Sequence, residues 1–113
     1  MADSFYVLGV DLGGSKIAAA VFDRERHQLS DVHVLPTMAN QSAKLTLMNL
    51  KRVISQAIRS SQCVGSPEAI GMSSPGHCDA IHGYILADNL PNLRGFPMRR
   101  FIKEEFGAPL FLE

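Results

Sequence analysis

The sequence predicts an α/β domain built on a mixed five-stranded β-sheet, and three observations carry that expectation. Short apolar runs, several of them rich in β-branched and aromatic residues, read as strands at residues 5–10, 16–22, 29–35, 69–73 and 109–113. Two longer segments repeat their apolar residues at helical spacing. The first three strands are joined by short polar links, whereas a helical segment precedes each later one. That arrangement predicts an antiparallel meander followed by parallel strands on right-handed crossovers.

Taken in order, residues 5–10 form a buried strand that runs to Asp11. The turn Gly13-Gly14-Ser15 then leads into an Ala-rich strand over residues 16–22. A polar turn at residues 23–26 precedes the third strand, 29–35, with Val32 and Leu35 as its apolar anchors. After a loop at 36–42, a helix is predicted over residues 43–60. Leu47, Leu50, Val53, Ile54, Ala57 and Ile58 give it one apolar face, and Asn40 or Ser42 caps its start. Residues 61–67 break the pattern before the strand at 69–73. Ser74-Pro75-Gly76 then turns the chain, residues 77–87 read as a small hairpin around His82-Gly83, and residues 88–95 form a loop holding Asn89 and Asn92. A second helix carries Pro97 in its first turn, Gly107 just past its end and Pro109 beyond, with Met98, Phe101, Ile102 and Phe106 as its apolar face. The order βββ-α-β-(hairpin)-α-β is that of a ribonuclease H-like half-domain, the N-terminal lobe of actin-like ATPases and sugar kinases.

Bulk properties narrow the function classes. With 113 residues the chain is one domain at most, or a piece of a larger protein. Hydrophobic residues make up 46% and charged residues 19%, an ordinary packed composition. A formal net charge of zero argues against broad attraction to nucleic acid or an anionic membrane. Arg99, Arg100 and Lys103 alternate with Glu104 and Glu105 and read as a solvated helix face. Cys63 and Cys78 form no CxxC pair or disulfide framework, so they read as reduced thiols. The N-terminus lacks a signal pattern, and no apolar run approaches the roughly 20 residues of a membrane helix. These features predict a soluble, cytoplasmic protein. An apolar strand at the very end of the sequence, without a polar tail, predicts that the protein continues.

The chemistry concentrates at Asp11-Leu12-Gly13-Gly14-Ser15-Lys16-Ile17. A carboxylate at a strand end, beside flexible backbone donors and a hydroxyl, suits a nucleotide phosphate and its metal ion. The same residues fit a plain hairpin turn with a capping Asp. The GxxxxGK[ST] spacing of a Walker A loop is absent. His77 and His82 have no carboxylate partner at a telling spacing and read as exposed loop histidines.

Three motifs in register resemble the N-terminal half of a ROK-family sugar kinase, the family of many bacterial glucokinases. Asp11 to Ile17 resembles the family's DxGGTK(I/L) opening, with Ser15 keeping the hydroxyl of the usual Thr. Gly71-Met72-Ser73-Ser74-Pro75-Gly76 resembles its G(I/V)xxPG turn. Asn89-Leu90-Pro91 followed by Gly95-Phe96-Pro97-Met98 resembles its NLPxW…PL segment. The resemblance implies residues 1–113 as the N-terminal lobe of a two-lobe kinase that phosphorylates a hexose, glucose by default, with ATP and Mg²⁺.

It also implies site roles. Asp11 holds Mg²⁺ through water, and Gly13, Gly14 and Ser15 face the ATP phosphates, with Lys16 either beside them or solvated. The backbone at Gly76 meets the sugar, unless Pro75-Gly76 is an ordinary turn. Asn89 offers an amide to sugar hydroxyls, unless it satisfies its own backbone, and Asn92 reads as an ordinary loop residue. The resemblance places no catalytic residue within the chain. The base is the Asp of an Asn-Asp pair that directly follows the final strand, so it falls just after Glu113. Any zinc motif, the adenine-binding lobe and further sugar ligands also lie beyond these residues. The whole protein is implied to be a homo-oligomer without nucleic-acid or membrane partners. Two rivals are a sugar-sensing ROK regulator, disfavoured because only ten residues precede Asp11 where a winged helix would sit, and a non-catalytic ATPase-fold interaction module.

Overall fold

The structure is a computed structural model that describes residues 5–74, 78–86 and 90–113. Its elements in chain order are β1 (Val7–Leu12), β2 (Lys16–Phe22), β3 (His33–Pro36), α1 (Ala43–Ser61), β4 (Ala69–Ser73), β5 (Cys78–Asp79), β6 (Tyr84–Ile85), α2 (Met98–Phe106) and β7 (Leu110–Leu112), with a 3-10 turn at Pro91–Leu93. Five strands form one sheet in the order β3-β2-β1-β4-β7, and β5 and β6 pair as a separate hairpin. The β1–β2 and β2–β3 pairs are antiparallel, and β1–β4 and β4–β7 are parallel. This is the predicted mixed sheet with its inserted hairpin.

One face of the sheet is the core face. Leu8, Val10 and Leu12 of β1 alternate inward, as do Ile17, Ala19 and Val21 of β2, Ile70 and Met72 of β4, and Leu110 and Leu112 of β7. Against them pack Leu50, Val53, Ile54 and Ala57 of α1 and Met98 and Ile102 of α2, all fully buried. Ser42 caps α1, its hydroxyl accepting from the Leu45 N–H at 3.1 Å. That bond removes one of the orphan donors every helix start presents. Gly107 ends α2 in the left-handed conformation, its N–H donating to the Lys103 carbonyl.

Three expectations need correction. The third strand is shorter than residues 29–35 and begins at His33. The Ser30 hydroxyl accepts from the Val21 N–H at 2.9 Å and donates to the Asp31 carbonyl at 2.9 Å. The Leu29 N–H still donates to the Val21 carbonyl at 2.7 Å and Gln28 bridges Phe22, but the Ser30 side chain takes the Val21 N–H, the regular ladder resumes only at His33, and Val32 is 55% exposed rather than an anchor. The first strand runs from Val7 through Leu12, so Asp11 lies inside it and pairs with Ala18 on one side and Ser73 on the other. Finally, His82 does have a carboxylate partner: its Nδ1 lies 2.8 Å from Asp79 Oδ2, and its N–H donates to Asp79 Oδ1 at 3.0 Å. An analogous local pair joins His27 and Asp23.

Candidate functional site at the strand ends

Strand alternation puts Asp11, Ser73, Phe111 and Glu113 on the sheet face opposite the core. Lys16 shares that face, in register two positions from the Ala18 partner of Asp11. A shallow cleft runs over it, lined in part by Gly9, Gly71, Ser73, Phe111 and Glu113. The Asp11 carboxylate is exposed, and the Ser73 hydroxyl donates to its Oδ1 at 3.3 Å. In open α/β sheets, ligands bind outside the carboxyl ends of the parallel strands. Asp11, Ser73 and Glu113 sit at those ends of β1, β4 and β7.

The turn between β1 and β2 is tightly braced. The Gly13 N–H donates to the Lys16 carbonyl at 3.0 Å. A Cβ at Gly13 would lie 2.8 Å from that same carbonyl oxygen, so only glycine closes the hairpin without distortion. Wholly buried Thr37 holds the turn from below: its hydroxyl donates to the Gly13 carbonyl at 2.7 Å and its N–H to the Ser15 carbonyl at 2.9 Å. Thr46 of α1 in turn donates to the Thr37 carbonyl at 2.6 Å. A chain of hydrogen bonds therefore runs from α1 through Thr37 to the turn.

This bracing uses some of the turn's polar groups and leaves others without a partner among the described residues. The Gly13 N–H is committed to the hairpin. Among the described residues nothing accepts from the N–H groups of Gly14 or Ser15 or from the Ser15 hydroxyl, and Ser15 is exposed. Asp11, Gly13, Gly14, Ser15 and Lys16 are thus brought together at one sheet end. Gly76 and Asn89 lie outside the described residues. Sequence reasoning missed Thr37 and Thr46. A signal for Thr46 exists, since it falls on the apolar stripe of α1, one turn before Leu50. Arg99 was also misread: its guanidinium lies on the Ala80, Ile81 and Leu110 carbonyls, while Arg100 and Glu104 keep the predicted solvated pairing.

Oxygen donors of the Asp11 and Ser73 kind suit a hard cation such as Mg²⁺, which keeps several waters and shares one or two carboxylates with substrate phosphates. Among the described residues no group of three or more His, Cys, Asp or Glu side chains could hold a metal ion. The exposed Asp11 carboxylate with the Ser73 hydroxyl beside it is a donor set of the kind that fits a water-rich Mg²⁺. No helix among the described residues is long and apolar enough to cross a membrane.

A sheet of this order, with an acidic residue on its central strand beside a glycine hairpin, defines the lobe of an actin-like ATPase fold. The chain matches the ROK family over residues 7–113, and it belongs to that family. It is 35% identical over 91 residues to the N-acetyl-D-glucosamine kinase of Escherichia coli O1:K1, a match that covers 80% of this chain and 28% of that protein. Among solved structures it resembles the ROK hexokinase of Thermus thermophilus (39% identity, TM-score 0.82, 96% of this chain and 34% of that one). It also resembles a ROK glucokinase of Streptomyces griseus solved with glucose and AMPPNP (28% identity, TM-score 0.70, 96% and 32%). The chain spans about a third of the length of these relatives.

Proposed function

We propose that the whole protein transfers the γ-phosphoryl group of ATP to a hydroxyl of a hexose, glucose by default, and that this chain supplies the phosphate-facing turn and part of the sugar pocket. The observation that carries this reading is the set of donors at Gly14 and Ser15 that no described residue accepts from, in the turn that follows the exposed Asp11 carboxylate. Phosphoryl transfer needs little covalent help from a protein. It needs positioning and charge neutralisation. Gly14 and Ser15 donate to the β- and γ-phosphate oxygens, and Lys16 adds positive charge from the same face. Asp11 holds the waters of a Mg²⁺ ion, which when bound neutralises phosphate charge.

On the sugar side, backbone at Gly76 and the Asn89 amide contact hydroxyls. A carboxylate beyond Glu113 accepts the attacking hydroxyl's proton as the new O–P bond forms and ADP departs. A second lobe closes over the cleft and excludes water.

The test is a coupled ADP-release assay on the whole protein with Mg²⁺–ATP, using glucose and N-acetylglucosamine in parallel. Sugar-dependent turnover supports the reading, and the ratio of kcat/KM values assigns the preferred sugar. Asp11→Ala is expected to cut kcat by at least about 100-fold, the size of effect seen when charge stabilisation is removed. ADP release indifferent to both sugars, or an Asp11→Ala variant with normal kinetics, overturns it. Residues 1–113 alone are expected to show no turnover above a Gly13→Asp control.

A further inference from the structure

We propose that Ser73 is a positioning residue for Asp11. Its hydroxyl holds the carboxylate on the β4 side of the open sheet face, apart from the Lys16 ammonium, and so keeps one charge free for a cation's waters and the other for phosphate; this rests on the kinase reading above. Asp11 stands on β1 with Ala18 of β2 as its register partner on one side and Ser73 of β4 on the other. Ala18 has no polar side-chain atom. The Ser73 hydroxyl donates to Asp11 Oδ1 at 3.3 Å, and among the described residues no other side chain hydrogen-bonds to that carboxylate. A hydroxyl has one proton to give. Here it goes to Asp11, although Glu113 flanks Ser73 on its other side, where β7 joins β4.

The need for such a hold comes from Lys16. It lies two positions before Ala18 on β2, which makes it the diagonal neighbour of Asp11 on the same sheet face. Diagonal neighbours in an antiparallel pair stand about 7–8 Å apart, within reach of a long side chain. Both residues are exposed and carry opposite charges. Yet no ion pair joins them, and neither is paired with any other described residue. The magnitudes account for this. An exposed ion pair is worth about fivefold at most in an equilibrium constant. A hydrogen bond to a charged oxygen is worth roughly tenfold or more at good geometry. At 3.3 Å the Ser73 bond is long, so the balance is narrow, and loss of the hydroxyl tips it toward Lys16.

The functional consequence follows from the charges. A carboxylate bonded to an ammonium has less negative charge to offer the waters of Mg²⁺, and an ammonium bonded to a carboxylate has less to offer phosphate. Pairing Asp11 with Lys16 therefore withdraws both groups at once. Ser73 prevents that with a neutral side chain, which leaves the charge of the face unchanged. Ser73 also lines the cleft shared with Gly9, Gly71 and Glu113, so its bond draws the carboxylate toward that cleft. The device acts on the metal and nucleotide, and the sugar does not enter it.

The test follows Mg²⁺–ADP binding to the whole protein by calorimetry, together with the Mg²⁺ dependence of turnover. Ser73→Ala is expected to weaken Mg²⁺–ADP binding and to raise the Mg²⁺ concentration for half-maximal turnover, each by roughly threefold to tenfold. The sugar KM is expected to stay within about twofold. Ser73→Thr, which keeps the hydroxyl, is expected to match wild type in both. Carboxyl-carbon NMR of aspartate-labelled protein reads the contact directly. The Asp11 signal, assigned by its loss in Asp11→Asn, is expected to move in Ser73→Ala and to stay in Ser73→Thr. Normal Mg²⁺–ADP binding by Ser73→Ala, a Ser73→Thr variant as weak as Ser73→Ala, or an unmoved Asp11 signal overturns the proposal. An Asp11→Ala variant that binds Mg²⁺–ADP normally, or a wild-type protein without sugar-dependent turnover, instead overturns the kinase reading, so the two failures are told apart.

Discussion

Replacing Thr37 by Val tests whether the β1–β2 turn, proposed above to face phosphate, is held from inside the fold. The side chains are nearly the same shape and Thr37 is wholly buried, so the change opens no cavity. It removes the 2.7 Å hydrogen bond to the Gly13 carbonyl and leaves that carbonyl facing a methyl group. The lost bond is worth about 1 kcal/mol net, and leaving its half-buried carbonyl partner unsatisfied adds up to a similar amount, so the expected loss is about 1–2 kcal/mol. The turn does not come free, because the Thr37 N–H still donates to the Ser15 carbonyl and the Gly13 N–H to Lys16. Urea denaturation should therefore show a lower midpoint with an unchanged slope. On the proposed function, in which Gly14 and Ser15 donate to phosphate, the ATP KM should rise by roughly threefold to tenfold with the sugar KM unchanged. Thr37→Ser, which keeps the hydroxyl, should retain normal ATP kinetics. A Thr37→Val loss below about 0.5 kcal/mol, together with a normal ATP KM, would refute the reasoning.

Gly13→Ala should destabilise by about 1–3 kcal/mol, because its Cβ would meet the Lys16 carbonyl oxygen at 2.8 Å. Gly71→Ala, whose Cβ would meet only the Leu8 carbonyl at 3.9 Å, should be tolerated, and comparable denaturation midpoints for the two variants would sink the distinction. A third expectation concerns acid. The His27 N–H, and then its ring, hold the Asp23 carboxylate below its ordinary value of 3.8, and the His82 N–H and ring do the same for Asp79. A depressed folded-state pKa means the contribution is present above the unfolded value and is lost as pH falls through the folded one. Unfolding midpoints should drop between about pH 5 and pH 2. Asp23→Asn and Asp79→Asn should each flatten that drop, and a variant with the wild-type slope would count against the assignment.

Much of the fold was legible because local chemistry and tertiary packing agree. The strand Ala69–Ser73 is bounded as expected, and the start of α1 is set by Ser42 and its body by the spacing of Leu50, Val53, Ile54 and Ala57. Pro97 and Gly107 bracket α2 for reasons of backbone conformation alone. The start of the third strand was misread because periodicity does not register a competing side chain: the Leu29 N–H pairs with the Val21 carbonyl, but the Ser30 hydroxyl takes the Val21 N–H and the regular ladder resumes only at His33. At the site, the Asp11 and glycine cluster was visible as a motif, but its bracing was not. Thr37 and Thr46 act on carbonyls 24 and 9 residues away in sequence. Arg99 was hidden by its neighbours: a basic residue among Arg100, Lys103, Glu104 and Glu105 looks like surface charge until its distant carbonyl partners are known.

Asp11 stands on the middle strand of five, hydrogen-bonded along both edges. Backbone in that position is among the last to open in local fluctuations, unlike that of a surface loop. On the proposed function, the carboxylate needs little backbone ordering when a nucleotide arrives, so binding is spared the entropy cost that a mobile ligand-holding loop would bring. The other side of this economy is fragility of a particular kind. A catalytic loop can lose its shape and recover while the domain stays intact, but this strand cannot move without the sheet. Heating should therefore abolish nucleotide binding and melt the sheet at one temperature, with no intermediate range in which the fold survives and the site is lost.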